Sequence, residues 1–171
     1  MIEKNMSKTK TMVLTGLLFA IAIVLSVVEN QLPPLVAAVP GVQFGLSNIV
    51  VMFCLFFLSK RQAFFLAVLK SMFVLLTRGL IAGTLSLCGG LASLLVMILL
   101  ILIFKDKVSY LVISIFGAIT HNVMQFAAIS LLFINIVVWV YLPVLIIAGI
   151  AAGTATSVLL RLLLPRFKKI F

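Results

Sequence analysis

Acid is what this chain has least of. Three carboxylates, Glu3, Glu29 and Asp106, stand among 171 residues, with one histidine and two cysteines. That scarcity excludes several chemistries at once. Paired aspartates that would hold magnesium against a diphosphate are missing. No carboxylate lies near the single His121 to complete a Ser/His/Asp set. A carboxylate relay at mid-membrane has no acid to run on, and without a Walker lysine motif the chain does not hydrolyse ATP by itself. Cys54 and Cys88 lack CxxC or Cys/His spacing and sit inside apolar runs, so they read as small core- or lipid-facing residues. No enzyme, metal site or cofactor is expected.

Charge of either sign is also sparse, at 9% of residues against 65% hydrophobic, and the mean hydropathy is +1.42. A soluble domain of this length needs far more charge to solvate its outside, so the outside here is lipid. The net charge of +10 invites a nucleic-acid reading, which the placement of the charge opposes. Apart from Lys70 and Arg78, every Lys and Arg falls in one of four short clusters flanking apolar runs. These are Lys4, Lys8 and Lys10; Lys60 and Arg61; Lys105 and Lys107; and Arg161, Arg166, Lys168 and Lys169. Such spacing marks topology, not a nucleic-acid face.

Six apolar segments predict an all-α, polytopic membrane protein with spans at about 11–28, 44–59, 62–81, 85–104, 110–133 and 137–164, the last interrupted by Pro143. With the N-terminus cytoplasmic, all four basic clusters fall on the cytoplasmic side. The opposite loops carry no Lys or Arg, which puts both termini inside and the protein in the plasma membrane. Unbroken apolar runs exclude a β-barrel, whose strands alternate. The connections are too short for a soluble domain, so residues 1–171 read as one membrane domain. Ala37-Ala38 would pass as a leader cleavage site, but the first run is long enough to span and is expected to be retained.

Ionisable groups at membrane depth call for a reason. Glu29 ends the first span and is expected at the outer rim, where a salt bridge to Arg78 is the plain reading. Lys70 lies near the middle of the third span. His121 and Gln125, four apart, share a face of the fifth span, with Asn122 beside them. Gly45-Leu46-Ser47-Asn48 opens span two and Gly83-Thr84-Leu85-Ser86 opens span four, and helix N-termini suit carboxylate or phosphate. The plain alternative is helix capping, and close packing for Gly89 and Gly90. Together, Lys70, Arg78, His121, Asn122, Gln125, Ser47 and Asn48 predict an outward-opening site for a small anionic or strongly polar ligand. Small residues recur four apart at Gly16 and Ala20, at Gly149 and Gly153, and at Ala148 and Ala152, a pattern that serves internal packing or docking of a membrane partner.

The segments Phe44-Gly45-Leu46-Ser47-Asn48-Ile49-Val50, Ser86-Leu87-Cys88-Gly89-Gly90 (read as an outer turn) and Gly117-Ala118-Ile119-Thr120-His121-Asn122-Val123-Met124-Gln125 resemble the Gx transporter family, also labelled heptaprenyl diphosphate synthase component I. That family in turn is similar to the substrate-binding S components of energy-coupling-factor (ECF) transporters. The resemblance implies six helices, an outward pocket and a lid loop, here holding Pro33, Pro34 and Pro40. It also implies docking through Gly16 and Ala20 onto a transmembrane coupling subunit driven by cytoplasmic ATPases. The expected function is capture of a vitamin or an isoprenoid or quinone precursor for uptake. The alternative is a non-catalytic membrane accessory of a prenyl diphosphate or quinone pathway enzyme.

Overall fold

A chain with this much apolar surface in lipid must satisfy its backbone N–H and C=O groups internally, and helices do so within each segment. The computed structural model describes residues 7–31, 45–105, 108–132 and 138–170, with side chains described at 7–31, 45–105, 108–131 and 142–162. The described residues form six helices: α1 (Lys8–Gln31), α2 (Asn48–Phe57), α3 (Lys60–Arg78), α4 (Leu80–Phe104), α5 (Tyr110–Leu132) and α6 (Val138–Ile170). Four stretches, Lys8–Gln31, Leu80–Phe104, Tyr110–Leu131 and Leu142–Leu162, are long and apolar enough to cross a membrane. Large apolar side chains such as Met12, Leu76 and Leu131 lie outside. The molecule is an all-α, multi-pass membrane protein.

Helix α2 departs from the expected 44–59. It has ten residues, about 15 Å at 1.5 Å per residue, half the ~30 Å hydrocarbon core. Gly45 has φ +77°, a left-handed conformation that ends any helical run from the N-terminal side. The helix compensates by burial: Val50, Val51, Met52, Phe53, Cys54 and Leu55 are all inside. Six consecutive buried residues require neighbours on every side, so α2 is the central post. Helices α1, α3 and α4 pack on it. Leu66, Ala67, Leu94, Met97 and Leu160 complete its apolar surround.

The expected opening of span four at Leu85 is also corrected. Helix α3, capped by the Ser59 hydroxyl that accepts from the Gln62 N–H, ends at Arg78, and α4 begins at Leu80 with Gly79 alone between them at φ +87°. Gly83 and Thr84 therefore lie inside the first turns of α4, and Ser86–Gly90 is helix, not a turn. The tight hairpin needs a residue without Cβ at Gly83, where a Cβ would lie 2.5 Å from the Leu75 Cβ. Thr84 bonds back to the Ile81 carbonyl and Ser86 meets Ser71 at 3.3 Å, so neither caps α4. Helix α6 runs through Pro143 without interruption; the proline, which has no N–H, leaves the Trp139 carbonyl without its helical donor.

Helices α3 to α6 pack in chain order. The α5–α6 contact depends on glycine: a Cβ on Gly149 would lie 2.9 Å from the Ile119 Cα, and one on Gly153 2.5 Å from the Ile115 Cα. That small-residue pair is internal packing. On α1 the opposite holds. Its inward stripe is Leu18, Ala22, Ser26 and Glu29, while Gly16 and Ala20 are exposed, and a Cβ on Gly16 would meet nothing within 4 Å.

Gly153→Leu should therefore force α5 and α6 apart and lower the melting temperature of the detergent-solubilised protein, an overpacking cost of about 1–3 kcal/mol or more. An unchanged melting temperature would show that the two helices do not meet at Ile115.

Candidate functional site

The inward stripe of α1 ends in a carboxylate, and the turn before α2 presents free backbone N–H groups; the two meet. Glu29, only 3% exposed, accepts through Oε1 from the N–H of Gly45 and, at 3.3 Å, from that of Leu46. The N–H groups of Asn48, Ile49 and Val50 are taken by the carbonyls of Gly45, Leu46 and Ser47, so the donors left over belong to the turn that leads into α2, and the carboxylate takes two of them. Ser47, at the N-cap, is buried but makes no capping bond with its own side chain. Glu29 pins the turn before α2 and leaves the first turn of the helix to its own backbone carbonyls.

Lys70 arrives from α3 and is 2% exposed. Its Nζ donates to Asn48 Oδ1 at 2.8 Å, across to the first residue of α2. The direct partner of this buried ammonium is thus a neutral amide. Among neighbouring charges Glu29 attracts it and Arg78 opposes it. Arg78, expected to pair with Glu29 at the rim, donates instead to the Ser26 carbonyl, with the Ser26 hydroxyl at 3.4 Å. Ser26 lies one turn before Glu29, so this end of α1 holds α3 through one residue and α2 through the other. In place of the rim salt bridge is a buried acid bonded to backbone N–H groups, with Lys70 and Arg78 as the cations that act on it through space.

From α5, His121 lies beneath the α2 start. A Cβ on Gly45 would stand 2.8 Å from His121 Cδ2, and one on Gly89 of α4 would stand 2.8 Å from both His121 Nδ1 and Gln125 Cγ. Gly45 and Gly89 thus let two helices close on the imidazole and on Gln125. Asn122 faces elsewhere: its Nδ2 donates to the Leu145 carbonyl of α6 at 3.2 Å. The structure accordingly joins Lys70 with Asn48, and His121 with Gln125, near the α2 N-terminus. Arg78 stands at the α1–α3 contact, and Asn122 belongs to the α5–α6 contact. Pro33, Pro34 and Pro40 lie outside the described residues.

Beneath Asn48 and His121 is a cavity of about 20 Å³ between α2, α4, α5 and α6, bounded by Gly45, Met52, Ser93, Met97, Ser114 and Thr156 among others. That is room for about one water, so a metabolite enters only if the helix ends part. Of the polar atoms buried without a partner, Asn48 Nδ2 belongs to a residue lining this cavity, whereas Glu29 Oε2 and Arg78 Nη1 belong to the α1 contacts. Buried polar groups are ordinarily paired, so each of these is an exception in its own setting. The parts that sequence reasoning did not find are Ser26, Gly45 as a packing position, and Glu29 as a buried anchor. One signal was legible: Ser26 and Glu29 continue the Leu18–Ala22 stripe at helical spacing.

The fold and the buried polar centre define a helical membrane protein with a polar site at one end of its bundle. The model of the family heptaprenyl diphosphate synthase component I matches residues 18–163, and the chain belongs to that family. A solved structure described as "Structure and mechanism of the S component of a bacterial ECF transporter" shares the fold. It has a TM-score of 0.65 and 20% sequence identity, over 96% of this chain and 98% of that one. No curated protein matches the chain.

The Glu29 arrangement yields an ordered expectation for stability. Glu29→Gln keeps an acceptor for the α2 N–H groups and loses the charge; Glu29→Ala loses both and should be the less stable, by about 3–5 kcal/mol from wild type if the cations are left uncompensated. Adding Lys70→Met to Glu29→Ala should restore part of the loss. Strict additivity of the two changes in denaturation experiments would mean that Glu29 and Lys70 do not interact.

Proposed function

We propose that the protein is the substrate-binding subunit of an ECF-type uptake system, capturing a small anionic metabolite at the Lys70 end of the bundle. The observation that carries this reading is the Lys70 ammonium: fully buried, yet bonded to a neutral amide. A buried cation without a direct carboxylate partner is costly, and Glu29 is shared with Arg78 and the α2 N-terminus. A carboxylate or phosphate on the ligand would compensate the remaining positive charge. Asn48, His121 and Gln125 would orient it, Arg78 would sit at its edge, and Ser47 and Asn122 would line its surroundings. The segment holding Pro33, Pro34 and Pro40 would close above. The likeness in fold to an S component supports a binding role over catalysis, and vitamins and isoprenoid or quinone precursors are the class we favour.

The rest of the machinery follows from the same reading. Residues 1–171 form one membrane domain of six membrane segments in the plasma membrane, with both termini cytoplasmic. The exposed Gly16 and Ala20 face of α1 docks onto a transmembrane coupling subunit, and cytoplasmic ATPases supply energy.

Reporter fusions at Lys60-Arg61 and Lys105-Lys107 should read as cytoplasmic, and fusions between Pro33 and Pro40 as external; a reversed signal at any of them breaks the topology. Gly16→Leu or Ala20→Leu should leave ligand binding and folding intact but abolish co-purification with the coupling subunit, because a branched side chain keeps helices apart. Retained co-purification would move the docking face elsewhere. A thermal-shift panel of small anions, cations and neutral polar metabolites should be stabilised by anions. Lys70→Met should weaken the resulting hit by tens-fold or more, since truncating one partner of a buried charge pair costs about 2–5 kcal/mol. Stabilisation by cations alone, or unchanged affinity in folded Lys70→Met, would refute the anion assignment.

A further inference from the structure

At the opposite end of α2 is a second and larger cavity, of about 230 Å³, that the proposed transport site does not use. It lies where α2 and α4 end, α5 begins and α6 passes. Two cations from different helices line it, Lys105 and Arg161, together with the hydroxyl-bearing Ser109 and Tyr110. All four are exposed, so the cavity opens outward. The chain reverses at Lys105, whose φ of +50° ends α4, and restarts at Ser109. The Ser109 hydroxyl accepts from the Val112 N–H and its carbonyl from the Ile113 N–H. Those bonds occupy the Val112 and Ile113 N–H groups, so the positive charge at this end rests on the two side chains. The connecting residues contribute one acid and one base, Asp106 and Lys107, and leave the excess of the two cations unchanged.

The inner wall is of different chemistry. Leu55, Phe56, Ile101 and Ile113 form it, with Phe56 and Tyr110 in edge contact at 4.9 Å. Immediately beside it Leu102, Ile103 and Phe104 are exposed on a helix that is apolar enough to cross a membrane. A free inorganic anion would use the cations and leave the apolar wall unused. An apolar molecule would leave two like charges converging without compensation. The volume is somewhat below the ~300–1,000 Å³ typical of sites that enclose a whole drug-sized ligand, which suits the head of a larger molecule whose remainder lies elsewhere. We infer that this cavity is a seat for the phosphate headgroup of an anionic phospholipid, held by Lys105 and Arg161, with the start of its chains along Phe56 and Ile101 and the rest in the bilayer. Basic pockets between helices at a membrane surface are suited to such headgroups.

The test is titration of the full-length, delipidated protein in neutral detergent with dioleoyl phosphatidylglycerol or dioleoyl phosphatidylcholine, with bound lipid counted by native mass spectrometry. One phosphatidylglycerol should bind in preference to phosphatidylcholine. The Lys105→Gln, Arg161→Gln variant should bind it at least about ten-fold more weakly, a change of about 1.4 kcal/mol. Both positions are exposed, so the fold should survive, which an unchanged melting temperature in lipid-free detergent would check. A Lys60→Gln, Arg61→Gln variant removes two cations that do not line the cavity and should bind as wild type does. Equal binding of the two lipids, or an equal loss in the Lys60/Arg61 variant, would reduce the effect to general attraction and overturn the site. Displacement of the lipid by inorganic phosphate at comparable concentration would also overturn it, as the seat would then belong to a soluble anion.

Discussion

The Glu29 carboxylate sits where three helices have something to lose. Helix α2 follows a turn whose Gly45 and Leu46 N–H groups point at α1; α3 brings a buried ammonium; and α1 would otherwise be held by its apolar stripe. One acid answers all three, accepting from Gly45 and Leu46 and attracting Lys70 and Arg78. In lipid the alternative for each group is an unsatisfied charge or dipole in a medium of low dielectric, so this contact outweighs any single apolar one. Its consequences spread outward. The backbone turn at Gly45 follows from it, and because Gly45 lacks a Cβ, His121 packs directly beneath.

The remainder of the bundle divides by how closely helices approach. The α3–α4 and α5–α6 contacts are locked by glycines against backbone, with Gly83, Gly149 and Gly153 each excluding even a methyl group. Helix α1 keeps its small residues on the outside. A four-helix body around a central post, and a first helix that joins it through an apolar stripe with polar contacts at one end, separates the tasks that the proposed function requires. The body preserves the site, and the outer face of α1 is left available. The small cavity under Asn48 is consistent with a closed arrangement in which Glu29 occupies the α2 N-terminus that a ligand anion would also favour. The two ends of α2 thus have distinct electrostatics: a buried centre with one acid facing two cations at its start, and an open basic cavity at its finish.

Much of this was legible before any coordinates. Helical class and membrane residence follow from composition, since no other backbone form satisfies itself in lipid over such long apolar runs. The positions of Lys70 and His121 within those runs already marked them as residues with partners, because isolated polar groups at that depth are too costly. What the linear pattern could not supply was which partner each would find. Gly149-x-x-x-Gly153 and Gly16-x-x-x-Ala20 are the same motif in sequence, and only the approach of α5 made the first internal and left the second exposed. Arg78 and Glu29 look like an ion pair by sign and depth, but the Ser26 carbonyl lay closer to the guanidinium. Asn122, adjacent to His121 in sequence, turned to Leu145 because successive helical residues point about 100° apart.

The length of α2 was the largest surprise and has the same origin. Hydropathy reports which residues avoid water, and residues 44–59 do so as well as any span. It does not report whether they are lipid-facing or enclosed by other helices. Buried on all sides, α2 needs neither the length nor the lipid surface of a spanning helix, and its start is set by Gly45 and by the polar contact of Gly45 with Glu29, sixteen residues earlier in the chain. By itself, then, the sequence determined the helical class, the membrane environment and the residues too polar to be incidental, because those depend on transfer free energies that each segment carries alone. Only the tertiary structure decided the pairings, the short central helix and the separation of packed from free faces, because those depend on distances between segments.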